Sequence, residues 1–172
     1  MNTKDEIIDE YTDIVQVDLP EMRVVYYKII SESPEELALA TIGSWAKRKG
    51  LWDMENTRIF GYNHPDPKEG EKLYGYEFCI TIPDDWTESD CFPFPVKTLP
   101  AGTFGSYKFK FSSMRDAWKK MIGWMGRTKG YEFSCSGKNL HWREETFCHK
   151  KAYDDLGDTD MILYIPMIRI VA

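Results

Sequence analysis

The sequence predicts an α+β fold in which a β-α-β-β unit is duplicated. Such a fold has an antiparallel sheet, two main helices, pseudo-twofold symmetry and a central ligand cleft. Three observations lead to this prediction. The chain has 172 residues, enough for one domain or two small fused units. A shift of 80 residues lays the second half on the first, and each half shows the same succession of strand and helix signals.

The repeat rests on nine identities in the 35 positions 17–51, where unrelated sequences of ordinary composition would share about two. The identical pairs are Leu19/Leu99, Pro20/Pro100, Tyr27/Tyr107, Lys28/Lys108, Ser33/Ser113, Ile42/Ile122, Gly43/Gly123, Lys49/Lys129 and Gly50/Gly130. We therefore expect one domain spanning residues 1–172. Its predicted parts are repeat 1 over about 17–86, a linker at 87–95, and repeat 2 over about 96–170.

The elements of each unit follow from local patterns. Residues rich in Val, Ile, Tyr and Phe predict a first strand in each half, at 23–30 and 104–111. A helix follows, with Ser33 or Ser113 at its N-cap and Gly50 or Gly130 as its stop. The predicted core-facing stripes are Ala38, Ile42 and Trp45, and then Trp118, Ile122 and Met125. The remaining predicted strands are 57–63, 74–82, 145–149 and 161–165.

Charge and hydropathy exclude several classes of protein. The formal net charge of −6 is unfavourable for neutralising phosphates, so we expect no nucleic-acid partner. No apolar run reaches the roughly 18 residues of a membrane span, so we expect no membrane partner. The first 16 residues are acidic where a signal peptide would be basic and then apolar. These features predict a cytoplasmic protein.

The sequence gives no sign of a metal or cofactor. Its four cysteines, Cys79, Cys91, Cys135 and Cys148, form no Cys-x-x-Cys pair, and reduced thiols are expected. A cluster of His141 and His149 with two of these cysteines fits no common ligand spacing. The glycine-rich nucleotide motifs, the serine-hydrolase elbow and the His-Glu-x-x-His motif do not occur. We therefore expect no metal and no cofactor.

Several short motifs within this duplicated pattern resemble one known family. In chain order they are Arg58-Ile59-Phe60-Gly61-Tyr62, His64-Pro65-Asp66-Pro67, Tyr74-Gly75-Tyr76-Glu77, Leu99-Pro100-Ala101-Gly102 and Tyr164-Ile165-Pro166. Together they resemble the GyrI-like effector-binding domains, which also form the ligand-binding half of several multidrug-responsive regulators. The resemblance covers roughly residues 21–168. It implies two halves enclosing a cleft that is lined by aromatic rings and, in many members, holds a buried glutamate.

The resemblance also suggests which glutamate lies in the cleft. Glu145-Thr146-Phe147 fits the family pattern, with phenylalanine where tyrosine is common, so one hydrogen-bond donor is missing. Regulators built from this domain carry a helical DNA-binding domain ahead of it, whereas only about twenty residues precede the first predicted strand. The expectation is therefore a stand-alone copy of the domain.

Strand alternation gives the candidate site residues. Glu77 is predicted on the face away from the helices, while Phe78, Ile80 and Ile82 face them. An ionisable group and a ring share a face in Arg58, Phe60 and Tyr62, and again in Glu145 and Phe147. The predicted ligand-binding residues are Glu145, Phe147, Tyr62, Phe60, Tyr107, Glu77 and Trp142. Whether Glu145 or Glu77 is the cleft acid stays open at this point, as does a structural salt bridge between Glu145 and Arg143.

Three functions fit such a cleft. The first is binding of hydrophobic or aromatic, possibly cationic, small molecules, with Glu145 as the polar anchor. The second is hydrolysis of reactive cyclopropane-bearing cytotoxins, with Glu145 as the catalytic proton-transfer group and Tyr62 or Tyr107 orienting the substrate. The third is an interaction protein that modulates gyrase through its acidic surface, which we rank below the others. Fold likeness alone cannot choose among them.

Overall fold

The computed structural model describes residues 10–133, 140–148 and 156–171. Within these ranges the backbone forms ten strands. They are β1 Val15–Leu19, β2 Met22–Ser31, β3 Ile59–Asn63, β4 Tyr74–Thr81, β5 Val96–Leu99, β6 Gly102–Lys110, β7 Tyr131–Glu132, β8 Arg143–Thr146, β9 Asp160–Pro166 and β10 Ile168–Arg169. Eight of them make one antiparallel sheet, and β7 pairs separately with β10.

Two main helical segments cover the sheet. The first comprises α1 Pro34–Ala38 and α2 Ser44–Arg48, which are joined by a π-helical turn, Leu39–Gly43. The second is α4 Met114–Arg127, and a short helix, α3 Glu88–Cys91, lies between the two halves of the chain. Three 3₁₀ turns complete the helical structure, at Leu51–Asp53, Phe111–Ser113 and Leu156–Asp158. No described helix is both long and apolar enough to cross a membrane.

The strand order is symmetric about a central pair. The sheet runs β1-β6-β9-β8-β3-β4-β2-β5, so the sequence halves meet where β8 pairs with β3. Outward from this seam, each side continues with the last strand of its half and then with the first long strand. The edge strands cross over, because β1 pairs with β6 and β5 pairs with β2. Each connection that leads into a long strand therefore starts on the opposite side of the sheet.

The two faces of the sheet carry separate cores. The helix-covered face has one apolar cluster under α1 and α2, with Ile42, Trp45, Phe78 and Ile80, and another under α4, with Met121. The opposite face has a third cluster, which includes residues from both ends of the sheet. Leu19 of β1 and Leu99 of β5 both belong to it, so the sheet curls until its two edges share one apolar interior.

The predicted α+β class with a two-sided antiparallel sheet is confirmed, and the strand cores agree with the predicted ones. The edge strands β1 and β5 were not predicted. The segment predicted as a linker contains α3, and its Cys91 packs into the core. Ser33 and Ser113 occupy N-cap positions, but neither side chain makes a capping hydrogen bond. The exact boundaries of the two repeats stay a prediction.

One predicted helix face is wrong. Ala38, Ile42 and Trp45 are buried as expected, but Ile122 is 57% exposed. The helix α4 instead turns Ala117 and Met121 to the sheet. The first helical segment contains a π-helical turn, which holds more residues per turn than the regular helix α4. A constant sequence shift therefore cannot keep the two apolar stripes in phase.

Candidate functional site

A cavity of about 860 Å³ opens at the seam between the two halves. The pairing of β3 with β8 ends at Gly61 and Glu144. Beyond this point β3 continues along β4 while β8 continues along β9, so the two strands diverge. The cavity lies at this fork. Its lining residues are Gly61, Tyr62, Asn63, His64, Pro65, Asp66, Pro67, Tyr76, Trp118, Phe133, His141, Trp142, Arg143 and Glu144.

Aromatic rings form much of the cavity wall. Trp118 of α4 stacks on Trp142, with 5.9 Å between ring centroids and 23° between ring planes. The Trp142 indole N–H donates a hydrogen bond to the carbonyl oxygen of Phe133 at 2.7 Å, which fixes the ring's orientation. On the other side of the fork, His141 stacks on Tyr62 at 4.4 Å between centroids. These rings offer flat apolar surfaces to a bound molecule.

An acid lies among these rings on the helix-covered face. Glu144 lines the cavity, and the Tyr76 hydroxyl donates a hydrogen bond to its Oε2 at 3.3 Å. Burial raises the pKa of Glu144 to about 7, although hydrogen bonds from Trp118 and Tyr76 act in the opposite direction. The nearby carboxylate of Glu35 also raises this pKa. The acid is therefore divided between its protonated and ionised forms near neutral pH.

A glycine permits this arrangement. Gly61 lies opposite Glu144 in the strand pairing, on the helix-covered face. A Cβ atom at Gly61 would overlap the hydroxyl end of Tyr76, whose ring passes over this position. Because Gly61 has no side chain, Tyr76 of β4 reaches across β3 to the acid on β8. Backbone approach of this kind is a common reason for glycine inside a strand.

A second polar cluster lies on the opposite face of the sheet. Glu77 accepts hydrogen bonds from Tyr62 at 2.8 Å and from Lys97, and its other oxygen contacts His64 Nδ1 at 2.6 Å. Burial raises the pKa of Glu77, but the hydrogen bonds from Lys97, Tyr62 and His64 outweigh burial and hold this pKa below its ordinary value. Both oxygens of Glu77 are thus occupied by protein groups.

Glu145 lies on this second face too, and it is 3% exposed. Arg58 binds it through two hydrogen bonds of 2.8 Å, one to each carboxylate oxygen. The Tyr164 hydroxyl donates a third, also at 2.8 Å. Hydrogen bonds from the guanidinium to Glu145 raise the pKa of Arg58. This bidentate pair leaves Glu145 little capacity for a further partner.

A comparison with protein-family models decides which family these features represent. The model that matches is described as Cass2, integron-associated effector binding protein, and it matches residues 14–167. The chain belongs to this family. No curated protein matches this effector-binding protein.

Solved structures share the fold of this family member. The C-terminal domain of EcmrR is 17% identical with a TM-score of 0.64, and the match covers 91% of this chain and 98% of that domain. In an EcmrR–DNA complex the match covers only 57% of the EcmrR chain. SAV2435 bound to tetraphenylphosphonium is 11% identical, with a TM-score of 0.54 and coverages of 90% and 93%. A hydrolase from Listeria innocua is 13% identical, with a TM-score of 0.61 and coverages of 90% and 91%.

The family and the fold together support a small-molecule-binding domain. The structure brings some of the predicted site residues together in this effector-binding protein. Tyr62 and Trp142 line the cavity. Phe60, Glu77 and Glu145 lie on the opposite face, where Phe60 is fully buried under the guanidinium of Arg58, 4.9 Å from its ring centroid.

Two other predicted site residues lie elsewhere. Tyr107 is on the helix-covered face of β6, where it stacks on Phe109 at 6.0 Å and lies 4.9 Å from the Lys120 ammonium. It is separated by the sheet from Glu145. Phe147 follows the end of β8 and is half-buried. His149 and Cys135, from the unfavoured metal cluster, lie outside the described residues.

The sequence analysis missed Glu144, Tyr76 and Trp118. One signal could have found Glu144, because Trp142 and Glu145 were assigned to the same site although an odd spacing along a strand places them on opposite faces. Alternation from Trp142 leads to Glu144. Tyr76 was placed in a strand without a role, and Trp118 was taken only as a core residue.

Proposed function

We propose that the cavity binds flat aromatic compounds that carry a positive charge, with Glu144 as the polar anchor. The observation that carries this proposal is the carboxyl group of Glu144, which lines an aromatic cavity and has a pKa of about 7. The volume of about 860 Å³ is suitable for a drug-sized molecule. The family description, effector binding, agrees with a ligand-binding role.

The energetics favour a lipophilic cation. Burial makes the ionised carboxylate unfavourable in the empty cavity, and a bound cation would relieve this penalty by pairing with it. The stacked rings of Trp118 and Trp142 supply apolar contact area. Cation–π contacts with such rings contribute about 0.5 to 2 kcal/mol each. A neutral ligand would gain the stacking but not the charge pairing.

Two further points support this assignment. Among the neighbours in fold, SAV2435 was solved with tetraphenylphosphonium, a lipophilic cation. Glu145, the anchor predicted from the sequence, has both oxygens bound by Arg58 and one also by Tyr164. We therefore assign the anchor role to Glu144 and a positioning role at the seam to Glu145. The proposal retains the expected cytoplasmic location and the expected absence of a nucleic-acid partner.

Titration with tetraphenylphosphonium, followed by tryptophan fluorescence, tests the proposal. We expect saturable quenching in the wild-type protein and at least about tenfold weaker binding in Glu144→Gln. The affinity should rise about tenfold between pH 6 and pH 8, because the carboxyl group with a pKa of about 7 must lose its proton to pair with the cation. Glu144→Gln should remove this pH dependence.

Glu36→Gln is the matched control, because Glu36 is an exposed acid in α1. It should bind tetraphenylphosphonium as the wild-type protein does. Absence of saturable quenching would contradict the proposal, and so would equal affinity in the wild-type and Glu144→Gln proteins.

Hydrolysis of a reactive small molecule is a second candidate function. A carboxyl group with a pKa near 7 is suited to protonate a leaving group, and His64, held by Glu77, lines the same cavity. Product formation from a cyclopropane-bearing alkylator, measured by mass spectrometry, would support this function. Stoichiometric binding without product would argue against it. The gyrase-modulating role stays a prediction from the sequence.

A further inference from the structure

A buried positive charge at the cavity has no hydrogen-bond acceptor. Arg143 is 1% exposed, and it is among the residues that line the cavity. Its guanidinium carbon lies 4.8 Å from the ring centroid of Phe104 and 5.9 Å from that of Phe60. Neither its Nε nor its Nη1 has a hydrogen-bond partner within the described residues. The rings offset part of the charge but accept no hydrogen bond in the plane of the guanidinium.

The neighbouring acids do not neutralise this charge. Glu77 and Glu145 are the buried carboxylates on the face of the sheet where Arg143 lies. Glu77 is paired with Lys97, and Glu145 is paired with Arg58. Within the described part of the chain, these pairs leave Arg143 as the unmatched charge of this face. An unpaired buried cation weakens the fold, so stability alone does not explain an arginine at this position.

The cavity is therefore bipolar. Glu144 lies on the helix-covered face, and the next residue toward the N-terminus, Arg143, lies on the other face. Both border the fork where β3 and β8 diverge. A ligand in this fork would have an acid on one side and an unmatched guanidinium on the other. A molecule with charges of both signs would complement the two groups.

We propose that Arg143 forms an anion subsite of the cavity that binds a carboxylate of the ligand. This inference rests on the proposed function, and it narrows the ligand class to aromatic zwitterions, with the cationic part at Glu144 and the carboxylate at Arg143. A guanidinium presents its N–H groups in a planar fork that fits the two oxygens of a carboxylate. The two unpartnered donors, Nε and Nη1, are free for such a contact.

A matched pair of dyes tests the subsite. Rhodamine B carries a cationic ring system and a benzoate group, and its ethyl ester keeps the cation but masks the carboxylate. We expect the wild-type protein to bind rhodamine B about tenfold more tightly than the ester, measured by fluorescence polarisation. Arg143→Met should lose this preference while its affinity for the ester stays unchanged. Arg48→Met, which removes an exposed charge at the end of α2, should keep the preference.

Benzoate alone separates the subsite from the rest of the cavity. We expect saturating sodium benzoate to raise the thermal unfolding midpoint of the wild-type protein by about 2 °C and to leave Arg143→Met unchanged. Arg143→Gln provides a second neutral variant if the methionine variant does not fold.

Equal affinity for rhodamine B and its ester, without any benzoate effect, overturns the subsite. Equal loss of both dyes in Arg143→Met and Arg143→Gln also overturns it, because that result indicates a structural role only. If neither dye binds while benzoate stabilises the wild-type protein alone, the subsite stands and the proposed cation cavity fails.

Discussion

Two consecutive acids of β8 have opposite environments. Glu145 lies on the face without helices, where Arg58 and Tyr164 bind it through three short hydrogen bonds. Glu144 lies on the helix-covered face, where one long hydrogen bond from Tyr76 and a raised pKa leave it available. Residue type and position along the chain are nearly identical. What separates a structural acid from a candidate binding acid is the set of donors on its own face of the sheet.

The same contrast applies to the two faces. On the Glu145 face, the buried acids Glu77 and Glu145 have cationic partners, and the packing of the third apolar cluster surrounds them. On the Glu144 face, aromatic rings and a cavity replace the cations. Polar groups that are fully paired stabilise a fold, whereas an incompletely paired group retains capacity for a ligand.

Exchange of each acid for its amide should give the largest difference in stability. Glu145→Gln leaves Arg58 without its charged partner, and we expect the free energy of unfolding in urea at pH 7 to fall by about 2 to 3 kcal/mol. Arg58 is 31% exposed in its side chain, which keeps the loss below that of a fully buried pair. Glu144→Gln should be neutral at this pH or slightly stabilising.

The pH dependence gives this comparison its sign. The pKa of Glu144 in the folded protein, about 7, lies above the ordinary value of 4.5. Ionisation of Glu144 therefore reduces stability as the pH rises from 4.5 to 7, and Glu144→Gln should remove this part of the slope. A greater loss of stability in Glu144→Gln than in Glu145→Gln would reverse our assignment of the two acids.

The second comparison concerns two strand glycines that lie under aromatic rings. Gly61 lies under Tyr76, and Gly105 lies under Trp124, and a Cβ atom would overlap the ring in both cases. Substitution of either glycine by alanine should lower the free energy of unfolding by about 2 kcal/mol. Tetraphenylphosphonium binding should weaken only in Gly61→Ala, because Tyr76 lines the cavity. Equal loss of binding in both variants would indicate a general rather than a local effect.

The smallest expected effect distinguishes the tyrosines that serve the two acids. Tyr164→Phe removes the 2.8 Å hydrogen bond to buried Glu145 and should lower the free energy of unfolding by about 1 kcal/mol. Tyr76→Phe removes a 3.3 Å hydrogen bond and should change stability by only a few tenths of a kcal/mol. It should, however, raise the pKa of Glu144 further, which NMR titration of the carboxyl carbon can measure.

Much of the fold was predictable because its signals are local. The strand alternation that places Phe78 and Ile80 toward the helices and Glu77 away from them is confirmed. The edge strands β1 and β5 were not predictable in the same way, because their pairing with distant strands provides most of their order. The phase of α4 was misjudged because the π-helical turn of the first half has no counterpart in it.

The site was harder to predict than the fold. Sequence reasoning placed an acid among aromatic residues at the right end of β8, but it chose Glu145 because a family pattern favoured that position. The choice between neighbouring acids depends on Arg58, whose partner lies 87 positions further along the chain. The register that joins β3 to β8 decides which acid Arg58 meets, and alternation within one strand does not fix that register.

The glycine of β3 has a consequence for recognising related sites in other sequences. The tyrosine and the acid that meet in the cavity come from β4 and β8, with β3 between them, and Gly61 is the position over which they touch. A larger residue there would separate them even if both were retained. Another chain should therefore be judged to carry this pocket only when all three positions, equivalent to Gly61, Tyr76 and Glu144, hold these residues together.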